Sequence, residues 1–269
     1  METTTVQRDL TVGGMHRSYL AVGPARPRPH LPLLVVLHGR GIPAQEEMAR
    51  TGFLPYAAQG EADIVYPMGV ADSWNAGHGC CGWAGKAGVN DTAFVTEVVV
   101  DAARHFESDP ARVYLVGYSN GGRLAFHDVC ENPTTFAAFA TYGAAPLAAC
   151  TNSTAPPVPV LLGVGTKDAV VHATDPSRTA TQAVDRVAAQ WRARDFCPPI
   201  ATVTHIGLLT LTSWTGCRAG SAVKTAHYAG ITHDWPTAGP VSAPYTTAVG
   251  SRAAAATVMW DFLTQYRRG

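Results

Sequence analysis

Short unbroken apolar runs recur along the chain, separated by stretches whose apolar residues return every three or four positions. The runs are Leu31 to Leu37, Ala62 to Tyr66, Val113 to Gly117, Phe136 to Tyr142 and Val158 to Val164. Runs of this kind suit strands buried on both faces of a parallel sheet. Between them, Phe94, Val95, Val98, Val99, Ala102 and Phe106 keep helical spacing behind a cap at Asn90 or Asp91. Ala180, Ala183, Val184, Val187, Ala188 and Trp191 make a second helical stripe. Val258, Phe262, Leu263 and Tyr266 make a third, with Ser251 as its expected cap, and a further helix is expected to open near Ser119. Residues 5–12 and 15–21 alternate around Gly13-Gly14, which predicts a hairpin. A proline-rich connector, Pro24 to Pro32, follows, and two or three strands are expected across 200–229, the last from Val223 to Ala229.

Strands alternating with helices predict an α/β fold, a mainly parallel sheet with helices on both faces. The 269 residues suit a single domain over 1–269, without repeats or low-complexity tracts. The Thr-, Ser- and Pro-rich stretch 151–159 reads as a surface loop rather than a linker.

Composition narrows the classes. With 46% apolar residues the chain can bury a large core, and with Lys+Arg equal to Asp+Glu at 20 each it carries no net field to draw nucleic acid or acidic lipid. No apolar run approaches the roughly 20 residues that span a bilayer, so no membrane partner is expected. Six cysteines, at 80, 81, 130, 150, 197 and 217, point to disulfides and an oxidising compartment. Six thiols allow about 15 pairings and spacing does not choose among them. The working assignment is Cys130–Cys150 and Cys197–Cys217, leaving Cys80–Cys81. Each wide bridge would close a loop of about 20 residues, a stabilisation of about 3 kcal/mol in the chain-entropy picture. Met1-Glu2-Thr3-Thr4-Thr5 is not a signal peptide, so the expectation is a secreted protein whose leader is absent from this sequence. A monomer is expected.

The sharpest chemical signal is Gly117-Tyr118-Ser119-Asn120-Gly121-Gly122, a G-x-S-x-G element between a buried strand and a helix. A serine on such a tight turn stands clear of the sheet, and the glycines leave room for close backbone. Its hydroxyl needs a base, and the base needs an orienting acid. Enzymes with this elbow place them in the chain order Ser, acid, His. Asp168, just past the strand 158–164, lies on the same sheet edge as Ser119 and is the expected acid, ahead of Asp175, Asp185 and Asp195. His233, in the loop after the last strand, is the expected base. His172 lies too close to the acid's own loop, and His205 and His227 fall within strands. Two N–H donors must face the oxyanion. They are assigned to the backbone of Asn120 and, from the loop His38-Gly39-Arg40-Gly41, of Arg40. Trp74, Tyr118 and Trp235 are taken as substrate contacts, the two tryptophans as an aromatic wall for the acyl group, against ordinary core packing. His78, Cys80 and Cys81 do not complete a tetrahedral metal set, and no phosphate loop or dinucleotide fingerprint occurs, so neither metal nor cofactor is expected.

Several segments together resemble the bacterial polyhydroxybutyrate depolymerase-like and feruloyl esterases: Leu37-His38-Gly39, Ser73-Trp74-Asn75 with Cys80-Cys81-Gly82, Asn90 to Phe94, Gly117 to Gly122, Gly165 to Asp168 and Gly230 to Pro236. The resemblance runs over about residues 8 to 265. It implies an α/β-hydrolase fold, a Ser-Asp-His triad, hydrolysis of carboxylic esters and export. The chain departs from the family at Asn90, where Asp is usual, and at Ile231-Thr232 before His233. On this reading the protein is a secreted serine esterase for feruloyl or related aryl esters of plant cell-wall polysaccharide. The alternatives are a polyester depolymerase, acting on polyhydroxyalkanoate or an aromatic polyester, a related acyltransferase, and an inactive exported binding protein on a hydrolase scaffold.

Overall fold

The computed structural model describes residues 2–150, 155–240 and 243–269. Residues 151–154 of the expected 151–159 loop lie outside them. The chain runs β1 (Thr3–Val12), β2 (Met15–Pro24), β3 (Leu33–Leu37), α1 (Ala44–Arg50), α2 (Leu54–Gln59), β4 (Asp63–Pro67), α3 (Gly82–Lys86), α4 (Asp91–Phe106), β5 (Val113–Tyr118), α5 (Asn120–Glu131) and β6 (Ala138–Tyr142). It continues through β7 (Val160–Gly165), α6 (Ala169–His172), α7 (Ala180–Arg194), β8 (Thr202–Ile206), β9 (Leu209–Trp214), β10 (Val223–Tyr228), β11 (Trp235–Thr237), β12 (Thr246–Ala248) and α8 (Ala255–Leu263).

Ten strands form one sheet in the order β1-β2-β4-β3-β5-β6-β7-β10-β9-β8. From β4 to β10 each neighbouring pair is parallel, while β1 and β2 on one flank and β9 and β8 on the other are antiparallel additions. Burial follows position: every residue of β3, β4, β5, β6 and β7 is buried, which is why those segments read as unbroken apolar runs. Successive side chains still alternate between faces. Leu33, Val35 and Leu37 join a core with Phe94, Val98, Leu124, Phe126 and Trp191, under α4, α5 and α7. Leu34 and Val36 join a second core with Phe53, Trp235, Met259 and Phe262, under α1, α2 and α8.

The capping of α4 is settled by geometry. The Asn90 side chain accepts from the Ala93 N–H, while Asp91 is buried and takes the Arg17 guanidinium at 2.8 Å and the Asn75 N–H at 2.7 Å. Ser251 does not cap α8. The helix opens at Ala255 behind Ala254, with no side-chain cap, because the Gly250 carbonyl collects the N–H groups of Ala253 and Ala254 and makes 251–253 a turn. Helices α1, α2, α3 and α6 were not expected; at four to seven residues they are too short to print a period. The cysteines pair as Cys80–Cys81, Cys130–Cys150 and Cys197–Cys217.

Candidate active site

The elbow is built by missing side chains. Ser119 follows β5 and stands at the N-cap of α5, with φ 52° and ψ −115°. An L-residue held in that sparsely populated region needs surroundings that over-determine it. They do so by close approach: a Cβ on Gly117 would lie 2.4 Å from the Gly121 carbonyl oxygen, and one on Gly121 would lie 2.4 Å from that of Leu37. A Cβ on Gly122 would lie 2.6 Å from the Ala144 Cβ. Only glycine fits at each, so the three glycines clamp the end of β3, the turn and the start of α5 together. The Ser119 N–H also donates to the Tyr142 carbonyl on β6 at 2.9 Å.

Three strand ends then converge. Asp168 follows β7 and is 1% exposed. One of its carboxylate oxygens accepts from the Val170 and Val171 N–H groups, each at 2.9 Å, at the start of α6. The other lies 2.7 Å from His233 Nδ1, and His233 Nε2 lies 2.8 Å from Ser119 Oγ. The carboxylate beside Nδ1 only accepts, so Nδ1 carries the proton and Nε2 presents its lone pair to the hydroxyl. Gly143, after β6, lies under the imidazole, where a Cβ would come within 2.8 Å of Cε1.

The competing groups are engaged elsewhere. Asp175 pairs with Arg178, Asp185 lies 3.1 Å from His227, and the buried Asp195 takes Arg194 and Ser221. His172 Nδ1 contacts the Arg178 carbonyl, and His205 is exposed on β8.

The expected oxyanion donors lie on adjoining backbone. Asn120 opens α5, so its N–H has no intrahelical acceptor. Residues 39–42 form a turn, with the Ile42 N–H on the Gly39 carbonyl at 3.2 Å and Gly41 at φ 75°. A type II turn leaves the N–H of its second residue, here Arg40, outside the turn's own hydrogen bond. Gly121 packs so close to the Leu37 and His38 carbonyls that a Cβ on it would come within 2.6 Å of both, which brings these two backbones side by side.

The aromatic wall is corrected. Trp74 and Trp235 are 0% exposed and Tyr118 is 2% exposed, so none offers surface to a bound acyl group. Each indole is turned inward by a buried acceptor: Trp74 Nε1 donates to the His38 carbonyl at 2.9 Å, and Trp235 Nε1 to the Thr51 carbonyl at 3.1 Å. The Tyr118 hydroxyl donates to the His233 carbonyl at 2.8 Å, beneath the Arg50 guanidinium, which sits 4.3 Å from the ring centroid. These three residues support the loops that carry His233 and the expected donors.

Two supporting residues were not recognised in the sequence for what they do. The Asn120 side chain accepts from the Trp74 N–H at 2.8 Å and donates to the Trp74 carbonyl at 3.1 Å, tying the turn after β4 to the elbow. His38, 1% exposed, accepts the Gly69 N–H on Nε2 at 2.9 Å and therefore donates from Nδ1 to the Gly39 carbonyl at 2.8 Å. Burial pushes its pKa down to about 4, so it stays neutral and holds β3 against the 69–74 turn.

The profile of the dienelactone hydrolase family matches residues 83–191, a span that includes Ser119 and Asp168. NocK of Nocardia uniformis subsp. tsuyamanensis is 31% identical over 171 residues, 62% of this chain and 49% of its own length. The bifunctional acetylxylan esterase/xylanase XynS20E of Neocallimastix patriciarum is 27% identical over 259 residues, 94% of this chain and 34% of its own. The chain thus spans about half of one curated relative and a third of the other. Among solved structures, a dienelactone hydrolase-like promiscuous phosphotriesterase from metagenomic libraries superposes with TM-score 0.67 at 14% identity, covering 98% of this chain and 99% of its own. An acetyl xylan esterase from Aspergillus awamori gives TM-score 0.64 at 12% identity, covering 85% and 94%. The chain has a dienelactone hydrolase-like α/β-hydrolase fold, a large and mostly parallel sheet flanked by helices.

Proposed function

We propose that the protein is a secreted serine hydrolase of carboxylic esters, with Ser119 as nucleophile, His233 as base and Asp168 as its orienting acid. The observation that carries this reading is the continuous contact from the buried Asp168 carboxylate through the imidazole to Ser119 Oγ, 2.7 and 2.8 Å. His233 Nε2 takes the hydroxyl proton as Oγ attacks the ester carbonyl. Asp168, held by two backbone N–H groups, keeps the imidazole in the required tautomer and stabilises the imidazolium. The amides of Arg40 and Asn120 receive the oxyanion. His233 returns its proton to the leaving alcohol, and water activated by the same nitrogen then releases the acid.

The substrate class we propose is an acyl ester on plant cell-wall polysaccharide. The resemblance to feruloyl esterases and the similarity to the acetylxylan esterase/xylanase both support it. The paired cysteines support export, since disulfides persist in oxidising compartments. The whole chain is read as one catalytic domain, active as a monomer and without metal or cofactor.

Fluorophosphonate labelling of the native protein, with Ser119→Ala unlabelled, tests the chemistry. Ser119→Ala is expected to lower kcat/KM by roughly 10⁴- to 10⁶-fold with the melting temperature little changed. Absence of labelling in a folded native protein would favour the binding-protein alternative. A panel of methyl ferulate, acetylated xylan, p-nitrophenyl esters of rising chain length and a polyhydroxybutyrate suspension tests the substrate. Consumption of the suspension alone would replace the polysaccharide-ester reading with polyester depolymerisation.

A further inference from the structure

The Cys80-Cys81-Gly82 turn, so distinctive in the sequence, has no part in the reaction as derived above. Its neighbours give it one. Arg123, in the second turn of α5, places Nη1 3.3 Å from the Cys80 sulfur and 3.4 Å from the Cys81 sulfur. Sulfur is a weak acceptor. On the other side, the Arg40 side chain lies against Gly82, where a Cβ would come 3.4 Å from the Arg40 Cδ. Neither guanidinium has a carboxylate within 4.0 Å among the described residues. The contrast within the molecule is sharp. Arg17 and Arg50, both buried, and Arg194, mostly buried, each hold a carboxylate at 2.7 to 2.8 Å.

We propose that Arg40 and Arg123, mounted on either side of the Cys80-Cys81-Gly82 turn, form a subsite for a carboxylate carried by the ester substrate. This deepens the ester-hydrolase reading and rests on it. Two like charges held together beside a proposed reaction centre, one half-buried and neither neutralised, lack only an anion. Burial and the positive charge of Arg40 both hold the Arg123 pKa below its ordinary value, an unfavourable state that a bound carboxylate relieves. Arg123 also lines a small cleft of about 70 Å³ between α5 and the segment after β6, with Leu147 as exposed apolar surface and His78 and His127 as further nitrogen groups. Among the described residues no Asp or Glu lines it; the nearby Glu131 carboxylate sits on His127 at 3.3 Å. The positive end of the α5 dipole adds to the same field. The surplus of positive groups over the single nearby carboxylate favours an anion over a cation here. Arg123 follows Ser119 by four residues, one turn and roughly 6 Å of axial rise, so its backbone lies one turn from the proposed nucleophile.

The test uses the whole protein and a matched pair: mono-p-nitrophenyl glutarate, which has a free carboxylate, and its methyl-capped diester. The wild-type kcat/KM is expected to favour the free acid by about tenfold at low salt, the preference shrinking as ionic strength rises. Arg123→Gln is expected to remove most of the preference and Arg123→Lys to restore part of it, because the charge returns without the fork geometry. A wild-type ratio at or below one overturns the subsite, and so does a ratio that Arg123→Gln leaves unchanged. Should Arg123→Gln fail to fold, the wild-type ratio and its salt dependence decide alone. Hydrolysis of the capped ester without preference leaves the esterase reading standing and ends only this inference. Hydrolysis of neither ester ends both.

Discussion

The elbow at 117–122 and the loop at 230–237 carry the two ends of the proposed proton path, yet they are held in place by opposite means. At the elbow the backbone packs against backbone, and what matters is the absence of side chains at Gly117, Gly121 and Gly122. The His233 loop is held by side chains reaching from elsewhere: the Tyr118 hydroxyl on the His233 carbonyl, the Trp235 indole on the Thr51 carbonyl, and Asp168 on the imidazole. A site fixed by close backbone approach fails all at once when an atom is added. A site fixed by several hydrogen bonds loses ground one bond at a time.

Four substitutions sharpen the contrast. The largest effect belongs to Asp168→Asn, which spares the shape and disturbs the tautomer; kcat is expected to fall by roughly 10³- to 10⁴-fold, read in steady-state kinetics, with the fold retained. Gly121→Ala comes next. Its new methyl would sit 2.4 Å from the Leu37 carbonyl oxygen, and a loss of about 3 to 5 kcal/mol is expected in denaturant titration, since neither backbone can yield. A Gly121→Ala protein of wild-type stability would contradict the clamp. Tyr118→Phe removes one hydrogen bond from the loop at a part-buried carbonyl, at a cost of about 1 kcal/mol in stability, and kcat should fall only severalfold.

The smallest effect is a slope. His38 has a folded pKa of about 4 against an ordinary 6.5. Its neutral form is the native one, so its contribution is intact above pH 6.5 and is lost progressively as pH falls towards 4, because the unfolded chain then binds the extra proton. Asp128, pushed up to about 7 by burial, works in the opposite sense, its contribution being lost as pH rises through 7. The readout is therefore the difference between wild type and His38→Gln across pH 4 to 6.5, where the variant should show the flatter acid loss in thermal melts.

The same contrast explains what could be read from the chain in advance. The elbow is local, and its glycine spacing is visible in six consecutive residues. The parallel strands were legible because both of their faces are buried, and Asp168 and His233 followed from chain order and from which strand end each succeeds. The three aromatic assignments failed for a physical reason. A sequence places Trp74, Tyr118 and Trp235 beside the site but does not say which way a ring turns, and that depends on acceptors supplied by residues 38, 233 and 51, distant in the chain. Ser251 misled in the same way, because the capping oxygen comes from the backbone of Gly250, and backbone leaves no trace in composition.

The double grip of Asn120 on Trp74 ties the turn after β4 to the start of α5. The residue whose amide is proposed to meet the developing negative charge also fastens, through its side chain, the turn at 69–74. Remodelling that turn therefore tugs on the proposed charge-stabilising amide itself. Descendants of this scaffold can diversify cheaply at exposed positions further along the turn, but not at Trp74 or Asn120, unless another two-ended amide takes over the clasp.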